Sequence, residues 1–158
     1  MNRNDVAKLA AAIILCELAG VAGSVFTIPS IPTWYASLVK PSFTPPSWLF
    51  GPVWTALYLL MGVSLYLVLK RGIGKRGVNP AVTVFGVQLG LNVLWSALFF
   101  GLRNPLYGLV GILALWVAIA VTIAESYRVS KAAAYALLPY LAWVTLATVL
   151  NFYVFKLN

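Results

Sequence analysis

Residues 47–76 read SWLFGPVWTALYLLMGVSLYLVLKRGIGKR, an uncharged apolar run from Ser47 to Leu69 closed by Lys70, Arg71, Lys75 and Arg76 around Gly72 and Gly74. At about 1.5 Å of rise per residue, such a run is long enough to cross a hydrocarbon core of about 30 Å as a single helix. The basic residues then stop it electrostatically and the glycines stop it conformationally. Four further runs of the same kind surround it, and the spacing predicts spans over 7–28, 47–69, 80–101, 105–126 and 131–155. The expected architecture is an all-α integral membrane protein, a five-transmembrane-helix bundle forming one domain over 1–158.

Composition supports this reading. Hydrophobic residues make up 62% and charged residues 9% of 158 positions, with a mean hydropathy of +0.93. A soluble domain carries about 25% charged residues and, at this size, cannot bury so much apolar surface. The net charge of +8 raises nucleic acid as a partner, but the basic residues sit at the ends of apolar runs rather than on one solvated face, which argues against it. Residues 8–26 follow Arg3 and Lys8 as a signal peptide's apolar region would, yet their length and the presence of Glu17 favour a retained span. Cys16 is the single cysteine, so no intramolecular disulfide forms.

Helix starts and loop charge organise the rest. Asn79-Pro80 and Asn104-Pro105 each read as a capping residue followed by proline at the first helical position, and Ser130 reads as the cap of the fifth span. Arg3, Lys8, Lys70, Arg71, Lys75, Arg76, Arg128 and Lys131 fall on one side, against Lys40, Arg103 and Lys156 on the other. The positive-inside rule then predicts a cytoplasmic N-terminus and an outer C-terminus, in a cell membrane of prokaryotic type. The longest connection, Pro29 to Pro46, holds five prolines with Trp34, Tyr35 and Phe43. It reads either as an interfacial aromatic belt or as a semi-rigid lid over a cavity.

The third span carries the most informative pattern. At about 100° per residue, Gln88, Asn92, Trp95 and Phe99 share a sector of roughly 60°, with Gly86 and Gly90 nearly opposite. Amides at membrane depth are costly against lipid, so the Gln88/Asn92 side is expected to face the bundle. The Gly86-xxx-Gly90 side suits close approach of another helix and hence a homodimer. Counting rise from the helix ends puts Trp54 and Trp95 at roughly 9 Å, Asn92 at roughly 14 Å and Trp143 at roughly 18 Å from the outer side. Ser24 and Gly23 share that level. Either these tryptophans simply pack, or they wall a ligand cavity in the outer half. Pro139 is expected to kink the fifth span. Glu17, the carboxyl residue nearest mid-membrane, is a functional candidate or a buried, protonated and hydrogen-bonded group. With no histidine, three acidic residues and one cysteine, neither a catalytic triad, a carboxylate pair nor a conventional metal site can be assembled. No cofactor is required by the sequence. If a haem or porphyrin is a ligand, stacking rather than ligation of iron would hold it.

Trp34-Tyr35, Leu38, Lys40-Pro41-Ser42-Phe43, Pro45-Pro46, Gly51-Pro52-Val53-Trp54, Leu57-Tyr58 and Met61-Gly62 together resemble the translocator protein family, also called tryptophan-rich sensory proteins or peripheral-type benzodiazepine receptors. The resemblance continues through Gln88, Leu91-Asn92, Trp95, Phe99-Phe100-Gly101, Pro139-Tyr140-Leu141-Ala142-Trp143 and Ala147-Thr148-Val149-Leu150-Asn151. It implies a dimeric five-helix bundle with a cavity beneath the first long loop, taking porphyrins and other tetrapyrroles, sterols, or benzodiazepine-type and isoquinoline ligands. By motif correspondence the cavity residues are Ser24, Phe50, Trp54, Asn92, Trp95, Tyr107, Val110, Trp143, Ala147 and Leu150, with Trp34 and Pro45 in the lid. Phe43 and Tyr107 depart from positions where many relatives have tryptophan. Leu150-x2-Tyr153-x2-Lys156 fits a proposed sterol-contact pattern, although a tyrosine and a lysine are also ordinary interfacial anchors. The implied function is a receptor or sensor for a hydrophobic small molecule in the lipid bilayer. A transporter and a light-dependent porphyrin-degrading enzyme are the alternatives. No inverted repeat supports the former, and the latter would have oxidisable indoles but no acid–base machinery.

Overall fold

The computed structural model describes residues 3–158, and these contain helices and turns but no strand. Helix α1 (Arg3–Ser30) continues through a wider turn at Ile31–Tyr35. A short turn at Ser47–Leu49 leads into α2 (Phe50–Leu69). Helix α3 (Val78–Ser96) runs on through a second wide turn, Ala97–Gly101, and α4 covers Pro105–Val129. The fifth span is divided into α5 (Lys131–Ala136) and α6 (Leu138–Leu157). Five segments, Arg3–Tyr35, Ser47–Leu69, Val78–Gly101, Pro105–Val129 and Lys131–Leu157, are long and apolar enough to cross a membrane. The protein is an integral, multi-pass membrane protein.

The first span outruns its expected end at residue 28, and half of the supposed loop is helical. Pro29 and Pro32 do not terminate the helix because a proline at its natural φ removes only one backbone donor and leaves the helical path open. The Thr33 hydroxyl donates to the Pro29 carbonyl at 2.7 Å, and the Ser30 hydroxyl donates across to the Phe100 carbonyl at 2.9 Å. The third span begins at Val78, with Gly77 as its cap at φ 83°, so Asn79 is not the cap. Its side chain instead reaches back to accept from the Gly74 N–H at 2.9 Å. Asn104 does cap α4, accepting from Leu106 and Tyr107, and Ser130 caps α5 through Ala133. The break expected from Pro139 falls at Leu137, whose φ and ψ are −91° and −10°. Pro139 therefore sits in the first turn of a new helix, where its missing N–H costs nothing.

Around the bundle the spans run first, second, fifth, fourth, third and back to the first. The N-terminus, the 70–77 loop and Ser130 form a basic face; the 36–46 loop, Arg103 and the end of α6 form a loop face. From the basic face to mid-span α1 and α2 approach closely, since a Cβ on Gly62 would lie 2.5 Å from the Ile13 Cα and one on Gly20 2.6 Å from the Tyr58 ring. The second span meets the fifth chiefly through α5, aided by the Ser64 hydroxyl donating to the Ala133 carbonyl at 2.8 Å. Contact between α2 and α6 is sparse, so the bundle loosens toward the loop face. There the 36–46 loop is fastened to the end of α6. Val39 N–H donates to Asn158 Oδ1 and Asn158 Nδ2 donates to the Val39 carbonyl, each at 3.0 Å, while Phe43 packs edge-on to Tyr153 at 5.6 Å.

Gly62→Ala drives a methyl group into the backbone of α1 and is expected to cost about 1–3 kcal/mol, lowering the thermal midpoint in detergent. Gly51→Ala, where a Cβ meets nothing within 4 Å, is expected to leave that midpoint unchanged or slightly raised.

Candidate ligand-binding site

Where α2 and α6 separate, the first, second, third and fifth spans enclose a cavity of about 330 Å³. One wall is a continuous train of rings. Trp54 lies 5.7 Å from Tyr58, 6.2 Å from Trp95 and 6.2 Å from Tyr140 between ring centroids. Trp95 stacks on Phe99 at 5.9 Å, and Phe99 meets Phe100 edge-on at 4.8 Å. Phe50 closes the opposite side against Trp143 at 6.0 Å. All these separations fall in the favourable range for offset or edge-to-face aromatic pairs.

Beneath the rings, buried amides join the helices. The Tyr58 hydroxyl donates to Asn92 Oδ1 at 2.5 Å, and Asn92 Nδ2 donates to the Tyr140 hydroxyl oxygen at 2.8 Å. Asn151 accepts from Trp95 Nε1 at 3.3 Å and donates to the Pro105 carbonyl at 2.8 Å. Asn92 and Trp95 thus spend their polar atoms on the protein itself. Trp54 and Trp143 line the cavity with indole N–H groups that have no acceptor among the described residues. Ser24, Thr27 and Thr55 each donate to a carbonyl of their own helix, which leaves their oxygens able to accept from a ligand. The chemistry offered is a flat apolar slot with a few donors and acceptors at its edges, the usual composition of a small-molecule site.

The opening lies on the side of the bundle. Among the lining residues Val21 and Ile28 on α1, and Gly51 and Thr55 on α2, are exposed, Ile28 to 67%. The gap between these two helices faces the zone that lipid occupies around a membrane-spanning bundle, and the Gly20–Tyr58 contact closes it toward the basic face.

Ser24, Phe50, Trp54, Asn92, Trp95, Trp143, Ala147 and Leu150 all line this cavity. Tyr107 and Val110 do not; they are 51% and 62% exposed. The inward phase of α4 runs instead through Gly108, Gly111 and Ile112, and Gly108 lies so close to Phe99 and Asn151 that a Cβ would fall within 2.9 Å of both. Neither lid residue reaches the cavity. Trp34 packs edge-on to Phe99 at 5.3 Å and borders a separate cleft with Leu38 and Asn104, and Pro45 sits half-buried in the loop. The first connection contributes Ile31 and Tyr35 instead, from its helical part. Gly86 and Gly90 are exposed on the outside of α3, with no atom of the described residues within 4 Å of a Cβ at either. Leu150, Tyr153 and Lys156 do not present one surface, because Leu150 is turned inward while the other two are exposed. Residue reading overlooked Gly20, Tyr58, Phe100 and Asn151 as parts of the site. The motifs Leu57-Tyr58, Phe99-Phe100-Gly101 and Leu150-Asn151 were the available signal for three of them; Gly20 had none.

Five membrane-crossing helices around a ring-walled, side-opening cavity define an α-helical membrane protein of ligand-binding type. The TspO/MBR family model matches residues 12–157, and the chain belongs to that family. It is 51% identical over 154 residues to the tryptophan-rich protein TspO of Archaeoglobus fulgidus, covering 98% of this chain and 99% of that one. It is 49% identical over 158 residues to the protein of the same name from Chlorobaculum tepidum, covering 100% and 99%. With the translocator protein of Homo sapiens it shares 45% identity over 127 residues, 79% of this chain and 75% of that one.

A Cβ on Gly51 meets nothing within 4 Å, so Gly51→Trp is expected to fold and to narrow the opening. Stopped-flow measurement of a bound fluorescent ligand should show association and dissociation slowed by about tenfold or more, with the equilibrium constant changed far less.

Proposed function

We propose that this protein is a membrane receptor or sensor that takes a flat aromatic ligand, of the tetrapyrrole or benzodiazepine class, from the bilayer into the cavity between α1 and α2. The observation that carries this reading is the pair of tryptophans, Trp54 on α2 and Trp143 on α6, that both line the cavity with indole N–H groups unused by the described residues. Both side chains are half-buried, and a ligand in the cavity would give their N–H groups an acceptor. Ring faces give affinity by stacking, and the two N–H groups orient what is stacked. At about 330 Å³ the cavity lies at the small end of ligand pockets, which run from about 300 to 1,000 Å³. A porphyrin or haem would therefore seat part of its ring against Trp54 and keep an edge in the opening. The family name of translocator protein, carried by relatives, fits a ligand that moves through the membrane plane.

Self-association belongs to the same reading. Gly86 and Gly90 form a small-residue face on α3 that none of the other described residues covers, suited to a second copy in a homodimer. The excess of Lys and Arg on the face that holds the N-terminus supports placing that face in the cytoplasm.

Soret-band titration of the detergent-solubilised protein with protoporphyrin IX tests the site. Changing Trp54 and Trp143 together to Phe keeps aromatic area but removes both N–H donors, at about 0.5–1.5 kcal/mol each. Affinity is expected to fall by about tenfold; an unchanged affinity in the double variant would refute the assignment.

A further inference from the structure

The geometry points to Glu17, a half-exposed lining residue of α1, as the residue that selects the ligand, by seating an ammonium or other N–H donor at the end of the cavity nearer the basic face. This rests on the cavity being a ligand site and adds the chemistry of what enters it. Glu17 lines the cavity from α1, seven residues below Ser24 and hence about 10 Å deeper along the helix. On its own helix the side chains one turn away are Ile13, Ile14 and Val21, with Gly20 between, and the adjacent Cys16 offers only a weakly polar thiol. Among the described residues it makes no hydrogen bond and no ion pair. Across the helix pair the Tyr58 ring packs on Gly20, one turn from Glu17, and its hydroxyl is the donor on that ring. That proton is already committed to Asn92.

The lining residues include neither lysine nor arginine. A carboxyl group held at membrane depth without a partner is costly, and the deficit is removed when a bound molecule brings a positive or N–H-bearing nitrogen. In a low-dielectric slot that contact is charge-assisted and stronger than the same contact in water. The favoured occupant is therefore an aromatic ligand with a basic nitrogen at one end, its rings against Trp54 and Trp143 and its nitrogen on Glu17. An acidic tetrapyrrole, repelled from Glu17, is turned so that its carboxylates lie in the opening between α1 and α2.

The test compares 1-pyrenemethylamine with 1-pyrenemethanol, which share rings and size and differ in charge. Binding to the purified full-length protein in neutral detergent is read by energy transfer from tryptophan to pyrene, with protein-free micelles correcting for partition. Wild-type protein is expected to prefer the amine by about tenfold or more. In Glu17→Gln, and in Glu17→Leu as a second variant, the preference should collapse to within about twofold of unity. Equal affinity for the two probes in the wild type overturns the proposal whatever the variants do, as does a preference that survives both substitutions. If the alcohol binds and is weakened by the Trp54→Phe, Trp143→Phe double change while no amine preference is seen, the cavity stands and only the role of Glu17 falls. If neither probe binds the wild type, the cavity reading fails and Glu17 falls with it.

Discussion

Asn92 ties three spans together in the interior of the bundle. From α3 it accepts from Tyr58 on α2 and donates to Tyr140 at the start of α6. No water reaches such a depth to compensate a missing partner, so each of these groups must be satisfied by another side chain. That requirement sets the rotation of α3, brings α2 and the lower end of α6 to a fixed separation, and makes the clamp the floor from which the outer helices diverge. Just below it the fifth span breaks at Leu137 and restarts with Pro139 in its first turn, and the space above the clamp is lined largely by rings rather than filled by aliphatic packing.

The first span is held differently. No side-chain hydrogen bond joins α1 to α2 among the described residues; close packing at Gly20 and Gly62 does that work from the basic face to mid-span. Near the loop face the attachment is to the third span, through Ser30 and the Phe100 carbonyl. A helix anchored on one flank and merely packed on the other leaves a seam, and the cavity opens along it. The polar groups that would normally seal such a seam, Ser24, Thr27 and Thr55, are turned onto their own helices. The site and its entrance are thus consequences of where hydrogen bonds are absent as much as of where they are made.

Much of the arrangement was legible from residues. The paired amides of α3 had to face inward, and Gln88 and Asn92 are indeed almost wholly buried. The capping roles of Asn104 and Ser130 followed from residue type and neighbouring pattern. Asn79 misled because Gly77, two positions earlier, could take the left-handed conformation that caps the helix and so released the asparagine for a loop contact. Pro29 and Pro32 misled because proline ends helices most reliably where water can satisfy the chain beyond them, whereas in lipid the helical path remains the cheaper one. Tyr107 and Val110 were misplaced by motif correspondence, since close contact of Gly108 with Phe99 and Asn151 fixes the phase of α4 and turns its neighbours outward.

The sequence by itself determined five spans, the residues at which most of them begin and end, and the inward side of α3, because hydropathy and backbone hydrogen bonding are settled within each helix. Only the tertiary structure decided that Asn92 is a clamp with its polar atoms spent, that Trp54 and Trp143 keep theirs, and that α1 and α2 part to form an entrance with Glu17 at its end nearer the basic face. Those outcomes depend on how helices rotate and tilt against one another, and residues far apart in the chain, such as Tyr58, Asn92 and Tyr140, choose their partners only once that packing exists.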